Sequence, residues 1–306
     1  MALRGLVAMG MALAVLKMIQ TWGGFVIEIP HPMWLLLALL FQAGCVVAAA
    51  ITWQRALYQV TGQFLDDHQA MAHTGILLVA KYLPGKVWGL IGRGVALRGM
   101  NLSVREISVA TLLEQVAFLA SGWTAMAAGW YRSHWSWFMM VLLFLSWLAC
   151  PVGVRLLPLL SPRLPKRLQA LLAMMEEGRG QLCSRGFWRL CWLSLWQWLF
   201  YSAVLAAIVG SLAIDLSWPL LMAIVAAVPA SLFSGMLFLF LPGGVGVREG
   251  VLVFYLQPLI GLDTALTAAV IYRITDTLRD VIMGIWAQKA FNLRKANQTM
   301  RRSSQP

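Results

Sequence analysis

Long apolar runs separated by short polar links make up most of the chain. Seven of them, at 5–27, 32–54, 106–130, 134–158, 188–212, 217–240 and 264–289, are each long enough for a membrane-crossing helix, which needs about 20 apolar residues. Two further stretches, 66–98 and 244–260, are apolar but interrupted by glycine, proline and charge. Only helices and closed barrels satisfy the backbone inside lipid. Runs of this length predict an all-α polytopic membrane protein with about seven to eight membrane helices. The first run is longer than a signal-peptide core and lacks a small-residue cleavage site, so it is expected to be retained.

Composition narrows the class. Of 306 residues, 60% are hydrophobic and 12% charged, against about 25% charged in a soluble domain. That excludes a soluble enzyme, a disordered chain and a disulfide-rich secreted module. The remaining charge is lopsided, 24 Lys and Arg against 12 Asp and Glu, for a net charge of +12. In a soluble protein this would suggest nucleic acid; in a membrane protein it reads as basic loops facing the anionic inner leaflet, with no nucleic-acid partner.

The basic residues also orient the chain. Residues 25–33 and the links around Asp215 and Asp263 carry no Lys or Arg, and the turn at 131–133 carries only Arg132. In contrast, 155–189 holds Arg155, Arg163, Lys166, Arg167, Arg179, Arg185 and Arg189, and the tail holds Lys289, Arg294, Lys295, Arg301 and Arg302. Both termini and the 159–187 loop are therefore expected in the cytoplasm of a bacterial or archaeal inner (plasma) membrane. The expected organisation is a membrane half at 1–158, the basic loop at 159–187, a second membrane half at 188–289, and a basic tail at 290–306. No second folded domain is expected.

A repeated pattern links the halves. Residues 81–93 read K-Y-L-P-G-K-V-W-G-L-I-G-R and residues 239–249 read L-F-L-P-G-G-V-G-V-R-E. Each carries Leu-Pro-Gly, more glycine and then arginine: Pro84, Gly85 and Arg93 in one, Pro242, Gly243, Gly244 and Arg248 in the other. Glu114 follows Pro84 by 30 residues and Arg273 follows Pro242 by 31, as in a degenerate internal repeat. Charge parity makes 66–98 a re-entrant hairpin broken at Pro84-Gly85. For 217–260 two solutions remain: a span with a short span back, or a hairpin dipping in from the outside. The second makes the halves inverted repeats with Pro-Gly-broken hairpins, a pattern that points to a transport site. Proline ends a helix, and a helix restarting beyond it offers free N–H groups and a positive dipole end to an anion. Lys81, Lys86, Arg93 and Arg248 stand beside the breaks. The plain alternative is a Pro-Gly kink between packed helices.

Few charges lie at membrane depth. Glu114 sits within T-L-L-E-Q-V, and Arg273, Asp276, Arg279 and Asp280 within I-Y-R-I-T-D-T-L-R-D. At 100° per residue, Arg273, Asp276 and Asp280 fall within about 60° of one another on one helix face. A charge at the bilayer centre costs roughly 2.5–3.5 kcal/mol on insertion scales, so such groups face an interior and are paired. Arg273 then reads as an anion-binding group, with Asp276 or Glu114 taking a cation or proton. The alternative is an ion-pair lattice of Glu114 with Arg273 and Asp276 with Arg279. Glu249 is expected to pair locally with Arg248 or to take part in proton coupling, and Lys17 to snorkel or contact a neighbouring helix.

Other groups carry no chemistry in this reading. Cys45, Cys150, Cys183 and Cys191 lack zinc or CxxC spacing. Asp66, Asp67, His68 and His73 have generic spacing and fit a polar hairpin entrance better than a metal site. Tryptophans such as Trp188, Trp192, Trp196 and Trp198 fit interfacial belts. No catalytic motif, metal site or cofactor is expected.

The two Leu-Pro-Gly segments, Y-L-P-G-K-V-W-G-L-I-G-R and F-L-P-G-G-V-G-V-R-E-G, resemble the signature of the lysylphosphatidylglycerol synthase transmembrane region, a flippase-like integral membrane family. The similarity covers nearly the whole chain and includes T-L-L-E-Q-V and I-Y-R-I; where the family often has arginine after the glutamate, this chain has Gln115. The resemblance implies a stand-alone membrane region, without the cytosolic aminoacyl-transfer domain found in other members. It implies movement or handling of lipids, not synthase activity. The expected function is movement of an anionic phospholipid or polyprenyl-phosphate glycolipid between leaflets, with Lys81, Lys86, Arg93, Arg248 and Arg273 on the head group and Glu114, Glu249, Asp276 and Asp280 as intramembrane acids. The alternatives are a scaffold for a glycosyltransferase, recruited through the 159–187 loop, and an intramembrane lipid-modifying enzyme using Glu114 or Asp276 as base. A homo-oligomer fits either of the first two.

Overall fold

The computed structural model describes residues 29–82, 88–97, 102–129, 185–237, 244 and 246–303. The runs at 5–27 and 134–158, Lys17, Lys86, most of the 159–187 loop, and the breaks at Pro84, Gly85, Pro242 and Gly243 lie outside the described residues. All described secondary structure is helical. The helices are α1 (Met33–Thr61), α2 (Asp67–Ala80), α3 (Trp88–Ala96), α4 (Val104–Gly129), α5 (Arg185–Ser211), α6 (Trp218–Leu237), α7 (Val247–Ile260) and α8 (Leu262–Ser303). The apolar runs locate these helices, and local chemistry sets their ends.

α1 follows Pro32 and stops at Gly62, which takes a left-handed φ of 69° and donates its N–H to Tyr58 O at 2.8 Å, a glycine C-terminal stop. Asp66 then caps α2 by accepting the Gln69 N–H at 2.7 Å. α4 opens with a capping box: Ser103 Oγ accepts the Glu106 N–H at 3.1 Å, and Glu106 Oε2 accepts the Ser103 N–H at 2.7 Å.

Among the described residues three helices, α1, α5 and α6, are long and apolar enough to cross a membrane by length and composition. α2 and α7 have 14 residues each, about 21 Å at 1.5 Å per residue, short of the ~30 Å hydrocarbon core. α3 is shorter still, with 9 residues. α8 runs for 42 residues and carries the cluster of charge at its middle and the basic tail at its end.

The packing is systematic. α1 lies along α5, and each contacts the helix that follows it (α2 and α6). α2 pairs with α3 and α6 with α7; α3 then touches α4, and α7 touches α8. Across the chain α2 lies on α8 and α6 lies on α4. At the α2–α8 crossing a Cβ on Gly75 would stand 2.5 Å from Met283 O, so only glycine permits that approach. The main core is built from small and branched residues at these crossings, among them Ala38 and Cys45 of α1, Val204 and Ile208 of α5, Ala227 of α6, Leu256 of α7 and Ala269 of α8. A second cluster around Trp53, Leu57, Leu97 and Ile107 joins α1 to α3 and α4.

Cys45 and Cys191 are buried in the helical packing; Cys150 and Cys183 lie outside the described residues. Trp188, Trp192 and Trp196 are exposed along one face of α5. Trp198 departs from the interfacial expectation: it is fully buried, stacks on Phe118 at 4.3 Å and donates its indole N–H to Phe118 O at 2.9 Å. The Phe118 carbonyl, which also accepts the Ser121 hydroxyl at 3.0 Å, satisfies the ring's one donor, so the ring sits in the core.

Candidate intramembrane charge site

The charged side chains of the helical core form two arms around a cavity. In the first arm, Arg93 of α3 meets Glu114 of α4 with both terminal guanidinium nitrogens. Nη1 reaches Oε2, and Nη2 reaches Oε1 at 3.2 Å. The Arg93 Cζ lies 3.8 Å over the Trp53 ring, and its side chain is fully buried. This is a bidentate, stacked guanidinium, a geometry that lysine cannot reproduce.

The second arm is a hub on α8. Asp276 receives Arg279 Nη2 at 2.6 Å on Oδ1, and Arg248 Nη1 of α7 at 3.2 Å and Lys81 Nζ at 3.5 Å on Oδ2. Lys81 also pairs with Asp280 at 2.6 Å, and Tyr82 Oη donates to the same carboxylate at 2.8 Å. Arg279 closes the hub through Asp280 Oδ1 at 2.8 Å and Gln42 Oε1 at 2.6 Å. Arg273 pairs separately with Glu249, Nε to Oε1 at 3.3 Å, while Glu249 Oε2 accepts the Gly246 N–H at 2.6 Å.

Two sequence expectations about partners change here. Glu114 pairs with Arg93 rather than Arg273, because α3 and α4 are packed neighbours. Glu249 pairs with Arg273 rather than Arg248, since one turn of helix points consecutive side chains about 100° apart. The expected pair Asp276–Arg279 is present, and Asp276, Arg273 and Asp280 do share the inward face of α8.

Glycine makes room for Arg248. Gly244 has φ +67°, and a Cβ there would stand 2.8 Å from Gly235 Cα; a Cβ on Gly235 would stand 2.7 Å from Arg248 Cγ. The arginine stem threads between two bare backbones, which explains glycine at Gly244 in L-P-G-G-x-G-x-R-E.

Between the arms lies a cavity of about 240 Å³. Lys81, Glu114 and Arg248 supply its charge, and Gln115, Ser194 and Gln197 supply neutral polar groups. Thr52, Thr74 and Tyr201 line it as well, and the other walls are mainly apolar, with Leu77, Phe118 and Leu232 among them. Of the five expected head-group cations, Lys81 and Arg248 line it. Arg93 and Arg273 stand behind it and are engaged with Glu114 and Glu249, and Lys86 is outside the described residues.

The hairpin-entrance residues separate. Asp67 accepts Gln54 Nε2 at 3.0 Å, His68 packs on Trp286, and His73 is buried against Trp53. Among the described residues no group of three or more His, Cys, Asp or Glu could hold a metal ion. Sequence reasoning passed over Gln42, Gln115, Ser194 and Gln197. Their signal was present as polar side chains inside apolar runs.

A family model, described as the lysylphosphatidylglycerol synthase TM region, matches residues 5–284. The chain belongs to this family. The match takes in both arms and the cavity, and with the apolar helices it makes this a membrane-embedded protein connected with lipids. No curated protein matches the chain.

Proposed function

We propose that this family member moves an anionic lipid, a phospholipid or a lipid-linked glycan, between leaflets. The observation that carries the reading is the cavity: a largely apolar chamber of head-group size in the helical core, with Lys81 and Arg248 on its wall. Acyl chains do not fit in about 240 Å³ and would remain in lipid while the head group enters. Arg93 and Arg273 then position Glu114 and Glu249 behind the contact residues, and Asp276 and Asp280 hold Arg248 and Lys81 in place.

The internal repeat supports this reading. If α1–α4 correspond to α5–α8, several helix contacts have counterparts: α2 on α8 matches α6 on α4, and α3 on α4 matches α7 on α8, whereas α4 packs closely on α5 and α8 only lightly on α1. The arms match as well, with Arg93 of α3 on Glu114 of α4 and Arg248 of α7 on Asp276 of α8. In this reading the pairs α2–α3 and α6–α7 are re-entrant hairpins of opposite entry. Both termini are cytoplasmic in an inner membrane, and rocking of the hairpins exposes the site to each leaflet in turn. The protein acts here as a transporter and not as an enzyme, and lipid is its partner.

A leaflet-scrambling assay in proteoliposomes tests the proposal. Arg248→Ala and Arg273→Ala are expected to slow lipid movement at least ten-fold. Unchanged movement in both variants would overturn the residue assignment.

A further inference from the structure

The buried charges of the two arms cancel. Among the described residues four buried arginines, Arg93, Arg248, Arg273 and Arg279, stand against four buried carboxylates, Glu114, Glu249, Asp276 and Asp280, and each arginine faces a carboxylate. A guanidinium keeps its proton. Lys81 is added to this neutral set. Its ammonium reaches Asp280 at 2.6 Å and Asp276 at 3.5 Å, but both carboxylates already hold Arg279, and Asp276 holds Arg248 as well. Lys81 alone of the five cations lines the cavity with a sizeable part of its side chain, 28%, exposed. It is the one cation of the site that can give up a proton, and it does so at the cavity edge.

Net charge in a low-dielectric interior is costly. With Lys81 neutral the empty site sums to zero; with Lys81 charged it carries one positive charge. An anionic head group in the cavity reverses the preference. Alone it leaves one negative charge, and with a proton on Lys81 it leaves none. Proton and anion therefore bind as a pair, each raising the affinity for the other. The surroundings of Lys81 supply no second group of this kind. α8 presents Asp276, Asp280 and Arg279, and α7 presents Arg248. Across the cavity α4 brings Glu114, both oxygens of which face Arg93, and α5 brings the Tyr201 phenol. The lining from α1 and α6, including Thr52, Leu232 and Met236, holds no titratable side chain among the described residues. The buried imidazole of α2, His73, lies against Trp53 and Phe291.

We propose, resting on the transport reading above, that Lys81 is a proton-binding site and that one proton crosses the membrane with each anionic lipid. Lys81 Nζ takes the proton from water on the side where the head group enters and returns it to water on the side where the head group leaves. One positive and one negative charge cross together, so the step moves no net charge. A pH gradient then drives the lipid toward the alkaline side, and membrane potential does not. The arginines fix the neutral frame of the cavity, and Lys81 is its one exchangeable charge.

The test uses the purified full chain in phosphatidylcholine vesicles carrying fluorescent phosphatidylglycerol, compared with protein-free vesicles, with valinomycin and potassium holding the membrane potential at zero. A pH gradient is expected to gather the probe in the leaflet on the alkaline side, by about ten-fold for each unit of gradient, since one pH unit and a ten-fold ratio carry the same free energy. In parallel, dioctanoyl phosphatidylglycerol is added to the detergent-solubilised chain in weak buffer over the pH range in which the chain stays folded. Binding is expected to draw up to about one proton per lipid, read with an indicator dye. Lys81→Arg, which keeps the charge but holds its proton, and Lys81→Met, which has none to exchange, should each lose the gradient response and the proton uptake. A probe distribution in the parent that ignores the gradient, or lipid binding without proton uptake, would overturn this inference and leave the transport reading standing. A gradient response kept by either variant would overturn the assignment to Lys81. No probe movement at all in the parent would overturn the transport reading, and this inference with it.

Discussion

The two arms use the same parts and solve the problem of buried charge differently. In the first, one arginine meets one glutamate through two parallel contacts, capped by the Trp53 ring, and the pair is nearly dry. In the second, one aspartate holds three cations from three places in the chain, and one of them, Lys81, reaches the cavity edge. A closed pair is locally neutral and can be exchanged as a unit. A hub shared by α2, α7 and α8 cannot, because each ligand of Asp276 depends on the others for compensation. The first arm holds α3 against α4; on the proposed transport reading, the second is the arm that responds when the cavity fills.

The strongest blow to this contrast is Asp276→Asn. It leaves Lys81, Arg248 and Arg279 crowded together with only Asp280 nearby, and breaking a buried pair typically costs about 3–5 kcal/mol. A large fall in the melting temperature of the detergent-solubilised protein is expected; a value within a degree or two of the parent would mean that Asp276 is not the hub.

Glu114→Gln strands the fully buried Arg93 and is expected to cost about as much, up to 3–5 kcal/mol. Here, however, the double variant Arg93→Met with Glu114→Leu should recover most of the loss, since apolar replacement of a whole buried pair is often neutral. A double-mutant cycle by thermal unfolding checks this. Failure of the double variant to recover would make the first arm as interdependent as the second.

A smaller effect tests how the hub is threaded. Gly235→Ala puts a methyl 2.7 Å from Arg248 Cγ and is expected to cost about 1–3 kcal/mol through overpacking, with slower lipid movement because Arg248 is displaced. Stability and movement unchanged together would show that the arginine stem has another route.

Smallest of all is Ser103→Ala. It removes half of the capping box of α4 at a cost of about 1 kcal/mol. Hydrogen exchange should quicken at the first turn of α4 and leave the Arg93–Glu114 contact intact. Faster exchange spreading to the arm would show that the helix start and the ion pair are coupled.

Much of this was legible in the chain itself. The apolar runs at 32–54, 106–130, 188–212 and 217–240 correspond to α1, α4, α5 and α6, and Ser103 with Glu106 spells out a helix start. The inward face of α8 followed from helical periodicity. Less legible were the helix ends away from such signals: α1 continues seven residues past 54, because Trp53, Gln54 and Leu57 find buried contacts there. Trp198 shows the same limit. An indole in an apolar run is equally at home at the interface or in the core, and only the carbonyl of Phe118 on a neighbouring helix decided between them.

The sequence by itself determined that this is a membrane protein, where its helices lie, and that a handful of charges must be buried and paired, since lipid offers them no solvent. Apart from the i,i+3 pair Asp276–Arg279, which charge meets which was decided by tertiary structure. Periodicity places a side chain on a face of its own helix, but the partner comes from whichever helix packs there. Arg279 finds Gln42 across 237 residues of chain, and Glu249 passes over its neighbour Arg248 to reach Arg273. The pairing of each buried arginine with a carboxylate, and the place of Lys81 at the cavity edge, exist only once those partners are chosen.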